Sequence, residues 1–150
     1  MRLAEALNLR ADINKRISQL GERLRANAKV QEGDTPAENP EELLAELDRL
    51  TAELEELMGR INLTNSRTLS DGVSLTEMIA KKDALTLKSG IIRKFLAEAS
   101  LKIERYSNKE IKILSTVNVA ELRTHSDKLS EELRLLNVKI QKINWTTDLL

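Results

Sequence analysis

The sequence predicts an all-α protein: an antiparallel four-helix bundle of long, coiled-coil-like helices, with a short extended or β arm between the third and fourth. Three observations lead there. Leu43, Leu47, Leu50, Leu54, Leu57, Ile61 and Thr64 follow one another at alternating gaps of four and three, and three other segments repeat the pattern. Capping residues stand at the start of three of these stripes. Phe, Trp and Tyr occur once each in 150 residues, which suits a core of Leu, Ile and Ala. The length fits one domain spanning 1–150.

The first helix is expected over about 2–26 or a little more, on Leu3, Ala6, Ile13, Ile17, Leu20 and Leu24, with Arg10 interrupting the stripe. Gly33, Asp34, Pro36, Asn39 and Pro40 mark a loop. The second helix opens with Asn39 as N-cap, Pro40 at the first helical position and Glu42 completing a capping box. It ends near Thr68, before a Ser70-Asp71-Gly72 turn. The third opens with Ser74 and Glu77 as a second box and runs to about Tyr106 on Leu75, Met78, Leu85, Ile92, Leu96, Ala99 and Ile103. The fourth opens with Asn118 and Glu121 and follows Leu122, Leu129, Leu133, Leu136, Ile140 and Ile143.

Between the last two helices the pattern changes. In Lys109–Val117, Ile111, Ile113 and Val117 fall at period two and β-branched residues dominate. A lone strand leaves unpaired backbone groups, so an extended arm needs a partner. In an up-down-up-down bundle the ends of the first and third helices share a pole. There Ala28 and Val30 also alternate within Asn27–Gln31, and they are the expected partner, within one chain or between chains, with Ile111 and Ile113 buried on one side. The plainer alternative makes 27–31 the last turns of the first helix and 107–117 a packed loop.

The third helix has more apolar surface than one bundle seam uses. Ala80, Ala84, Leu87, Ile91 and Phe95 form a second stripe. Leaving Leu87, Ile91 and Phe95 in water forgoes several kcal/mol, at about 1.5–3 kcal/mol for each large side chain. A second subunit is the simplest cover, so a homo-oligomer, dimer or higher, is expected. The candidate interface is Leu87, Ile91, Phe95, Tyr106, Ile111 and Ile113. The alternative is a broad interior face on a central helix.

Several function classes are disfavoured. Net charge is zero. Residues 33–68 hold nine acids and three bases, whereas 1–32 hold seven bases and four acids. That contrast suggests charge-complementary helix pairing, and it argues against a nucleic-acid partner, which needs a net basic footprint. The absence of cysteine removes thiolate catalysis and Cys-type zinc sites. No apolar run approaches the roughly 18–20 residues of a membrane span. The N-terminus lacks a signal-peptide core, so a soluble cytoplasmic protein with no membrane role is expected. His125 is the only histidine and has no second His or Cys to share a zinc ion. Glu41, Glu42, Glu46, Glu53, Glu55 and Glu56 avoid the leucine seam and read as a solvated face. Glycine-rich phosphate loops are missing. No catalytic, cofactor or metal residue is assigned, no small-molecule partner is implied, and an enzyme is not expected.

One polar pole remains, where Asn62 and Asn65 end the second helix and Asn144 and Trp145 end the fourth. Its plain role is to cap helix ends, with Trp145 plugging the bundle; the alternative is a small-ligand pocket.

Asn27-Ala28-Lys29-Val30-Gln31-Glu32-Gly33-Asp34 followed by Pro40-Glu41-Glu42-Leu43-Leu44 resembles a group of small bacterial proteins of unknown function, some of whose members are labelled septicolysin. Arg105-Tyr106-Ser107, Glu110-Ile111-Lys112, Ser115-Thr116-Val117 and Asn144-Trp145-Thr146-Thr147 resemble the same group, so the similarity spans nearly the whole chain. It implies a bacterial, helical, oligomeric protein without an established activity, and it carries over no catalytic residues. The leading functional expectation is a non-enzymatic oligomeric scaffold or protein-interaction module. The alternatives are a membrane-active cytolysin, as the septicolysin label suggests, or a small-ligand binder at one pole.

Overall fold

A computed structural model describes residues 1–101 and 111–150. The chain is all-α, with packing consistent with a helical bundle. Its four helices are α1 (Leu3–Ala26), α2 (Pro40–Arg67), α3 (Leu75–Ser100) and α4 (Val119–Thr146). The chain forms two compact units: Met1–Leu75 with Gln141–Leu150, and Thr76–Ile140.

In the first unit α1 and α2 pack side by side. Leu43, Leu50, Leu57 and Thr64 are buried along α2 at seven-residue intervals, and Ala6, Ile13 and Leu20 are buried along α1 at the same interval. Ile61 and Leu3 are also sealed. The helices run antiparallel: Arg16, late in α1, pairs with Glu46, early in α2, at 3.6 Å. Met1 and Leu9 share a groove with Leu57 and Arg60.

The connection between them is built by polar groups. Asn27 is buried at the end of α1. Its amide donates to the Arg23 carbonyl (2.8 Å), and its side-chain oxygen accepts from Glu38 N (2.9 Å). The Arg23 guanidinium grips the Glu38 carboxylate through Nε (3.0 and 3.1 Å) and Nη2 (2.5 Å). Asn39 caps α2 as expected, but it accepts from Glu41 N (3.0 Å) rather than from Glu42. The basic first segment and the acidic second thus meet through Arg16–Glu46 and Arg23–Glu38.

The end of α4 and the C-terminal tail complete this unit. Leu3 N donates to the Thr147 carbonyl and Leu149 N to the Met1 carbonyl, each at 2.9 Å. Thr64 is polar yet fully buried on the α2 seam. Its hydroxyl donates to the Arg60 carbonyl (2.8 Å) and accepts from Leu150 N (3.0 Å), while Arg60 Nε donates to the Leu150 carbonyl (2.7 Å).

The structure adds an element beyond the sequence reading: an antiparallel hairpin, β1 (Leu69–Ser70) and β2 (Val73–Ser74), between α2 and α3. Asp71 (φ 54°) and Gly72 (φ 80°) both take positive φ, the two-residue turn that Asp-Gly favours.

In the second unit Met78 and Ser89 of α3 are buried, with Leu85, Ile92 and Leu96 half-buried on the same side. Ser126, Leu129 and Ile140 of α4 are buried. Lys81 pairs with Glu132 at 3.1 Å. The Asn118 side chain caps α4 as expected, accepting from Glu121 N (3.2 Å).

The stretch 111–117 is non-helical, as an arm between α3 and α4 should be. The expected burial is not met within the single chain: Ile111 and Ile113 are exposed. Among the described residues no β-ladder includes 28–31 or 111–117. The Ser115 hydroxyl bonds locally to Val117, donating to its carbonyl at 3.1 Å and accepting from its N–H at 3.4 Å. Helix α3 ends at Ser100, not near 106; the Ser100 hydroxyl donates to the Leu96 carbonyl at 2.6 Å, within the last turn. Tyr106 and Lys109–Glu110 lie outside the described residues.

Two outcomes follow from this geometry. Gly72→Ala places a Cβ at positive φ in otherwise open space, so the cost is conformational, about 1–2 kcal/mol in denaturant unfolding. The Arg23 hydrogen bond holds the Glu38 carboxyl below its usual pKa. A depressed carboxylate pKa gives stability that is present above the unfolded-state value and lost as pH falls through the folded-state value. Glu38→Gln should therefore lower the melting temperature at neutral pH and shrink its loss on acidification, followed by thermal melts across the acid range.

Candidate functional site

Helix α3 is apolar on two opposite sides. Met78, Leu85, Ile92 and Leu96 turn into the second unit, half a helical circumference from Leu87 and Ile91. On the outer side Leu87 is 68% exposed, Ile91 60% and Phe95 45%, with Ala80 and Ala84 exposed in line with them. Gly90 beside Ile91 has no neighbour within 4 Å of a Cβ placed there, so this stretch of helix is open.

The outer stripe continues past the helix. Phe95 lines a groove of about 220 Å3 together with Leu101, Ile113 and Leu114, all exposed residues. Of the six interface residues named from the sequence, Leu87, Ile91 and Phe95 share one helix face, Ile113 joins Phe95 at the groove, and Ile111 is exposed on the same arm. Tyr106 lies outside the described residues. The sequence reading missed Leu101 and Leu114. Leu114 falls out of the period-two pattern that drew attention to its neighbours, and Leu101 had been placed inside a longer helix.

Charges edge the stripe. Asp83 and Lys94 are both exposed, eleven residues and so three turns apart on one flank. Among the described residues neither takes part in an ion pair.

The polar pole is assembled differently from expectation. Asn144 is buried, but Trp145 is 57% exposed and does not plug the bundle. The inward side of the last turns of α4 is Ile140, Ile143 and Asn144, and Trp145 stands a further 100° around the helix. Asn62 is exposed and Asn65 half-buried. Among the described residues no group of three or more metal-binding side chains converges, and no helix is long and apolar enough to cross a membrane.

Residues 10–149 match the sequence model of a family of unknown function, DUF6847. The chain belongs to this family. It is similar over its full length to a functionally unknown conserved protein from Corynebacterium diphtheriae, whose crystal structure aligns with a TM-score of 0.94 at 42% identity, covering 100% of this chain and 99% of that one. No curated protein matches it. The resemblance to bacterial helical proteins of unknown function thus leads to a family of that description, and the family brings no activity with it.

Trp145 is the only indole, so its environment is directly measurable. Its fluorescence should show the red-shifted maximum of a hydrated indole and strong quenching by iodide. A blue-shifted, quencher-resistant signal would place the ring in a core instead.

Proposed function

We propose that the protein is a non-enzymatic interaction module that works as a homo-oligomer, with the outer face of α3 as its subunit contact. The observation carrying this reading is the contiguous apolar surface of Leu87, Ile91 and Phe95, extended by Leu101, Ile113 and Leu114. A helix apolar on two sides is ordinarily covered on both. Large exposed apolar patches mark interaction sites.

The charges favour a second copy of the same chain as the cover. Two α3 helices crossing antiparallel by their outer faces, about a two-fold axis midway along the helix between the levels of Leu87 and Ile91, would set Leu87 against Ile91 of the other copy. In antiparallel pairing each flank meets the same flank of its partner. Asp83 would then face Lys94 of the other copy, twice over, giving both unpaired charges a counterion. Small Gly90 near the axis leaves room for close approach.

Light scattering on size-exclusion eluate should report at least twice the 17.0 kDa chain mass. Ile91→Glu should give the single-chain mass. Asp83→Lys should weaken association about ten-fold by setting Lys against Lys. Adding Lys94→Asp to it should restore the association, because the swap recreates both pairs. A single-chain mass for the unaltered protein at tens of micromolar (about 10–50 µM) would reject the reading.

A further inference from the structure

Away from the outer stripe, and wholly within the second unit, α3 and α4 line an open cleft of about 430 Å3. Lys82 and Arg93 line it from α3 and Arg134 from α4, and no carboxylate lines it. Among the described residues none of these three cations has an ion pair; Glu132, two residues before Arg134, pairs with Lys81, and Asp83, next to Lys82 in sequence, does not line the cleft. Elsewhere in the chain Arg16, Arg23 and Arg49 each meet a glutamate. Three cations around one cleft without an acid repel one another, and an anion between them would remove that cost.

A second observation points the same way. Ser89 also lines the cleft and is only 3% exposed. Its hydroxyl makes no hydrogen bond among the described residues, yet no side-chain polar atom there is both sealed from solvent and unpartnered. What remains accessible of the hydroxyl therefore opens into the cleft. One turn earlier Thr86 behaves as helix hydroxyls usually do, donating to the Lys82 carbonyl at 2.8 Å. Ser89 makes no such bond among the described residues. Ser130 and Asn137 add neutral donors from α4.

We propose that this cleft binds a phosphoryl dianion, as carried by a phosphate monoester. Two guanidinium forks suit the geometry of phosphate oxygens, and Lys82 supplies a further positive charge. The volume lies within the roughly 300–1,000 Å3 of small-ligand sites. A free phosphate ester and the headgroup of an anionic lipid carry the same group. The proposal is independent of self-association, because Ser89 and Arg93 lie well around α3 from Leu87 and Ile91.

The test is titration calorimetry and phosphorus NMR on the full chain. The probes are inorganic phosphate, glycerol phosphate, uncharged glycerol, and phosphatidylcholine vesicles with and without phosphatidic acid. Saturable binding of one phosphate ester per chain is expected, with none of glycerol. Arg93→Gln or Arg134→Gln should weaken it at least about ten-fold, and Ser89→Ala a few-fold. Lys88→Gln, outside the cleft, should leave it unchanged. Circular dichroism and solution mass should match the unaltered protein in every variant, which separates loss of the site from loss of fold or assembly. Binding of phosphatidic-acid vesicles alone, with the same arginine dependence, would support the site and assign the phosphoryl group to a lipid. No saturable binding from either source up to about 10 mM, or equal losses in Lys88→Gln and Arg134→Gln, would overturn it.

Discussion

Every seven residues along α2 a side chain is sealed from water, at Leu43, Leu50, Leu57 and Thr64, and α1 answers at the same interval with Ala6, Ile13 and Leu20. The rest of the first unit hangs on this seam. Each large aliphatic side chain buried there contributes about 1.5–3 kcal/mol. Ion pairs as open as Arg16–Glu46 contribute about 0–1 kcal/mol. Apolar burial therefore supplies the stability, and the charges choose which helices meet and in which direction. The one polar member of the α2 seam has a structural consequence: buried Thr64 needs its hydroxyl satisfied, and it draws the C-terminal tail onto the end of α2 through Leu150.

Helix α3 obeys a different constraint. Its apolar residues are divided between two opposite sides, so one side packs into its own unit and the other remains open in the single chain. The same helix offers a third side to a cationic cleft. A helix with about 3.6 residues per turn can present such separate surfaces because neighbouring positions lie 100° apart. Trp145 and Asn144 show the same arithmetic on α4, where one step in sequence separates an exposed indole from a buried amide.

Much of this architecture was legible in the residues. The helix starts agree with the cap positions, because a cap bond spans only two or three residues: Asn39 to Glu41, Asn118 to Glu121. The hairpin was not recognised as strands, since two-residue strands carry no periodicity and only Asp71-Gly72 betrays it. The arm departs from expectation in the opposite way within the single chain. Alternating β-branched residues in 111–117 look like a strand, but a strand exists only if another segment meets its backbone. For the candidate surfaces, the outer stripe of α3 was visible as spacing along one helix. The cleft was not, because Lys82 and Arg93 are ordinary surface residues until α4 brings Arg134 beside them.

By itself, then, the sequence determined what is local: four helices, their caps, and the two apolar sides of α3, each set by residues within a few turns of one another. Tertiary structure alone decided what is distant in the chain. It sealed Thr64 with Leu150, left Trp145 in water, kept the arm out of any described ladder, and placed three cations from two helices around one cleft. The physical reason is that spacing along a helix says which side a residue faces, while what that side meets depends on segments that may be anywhere in the sequence.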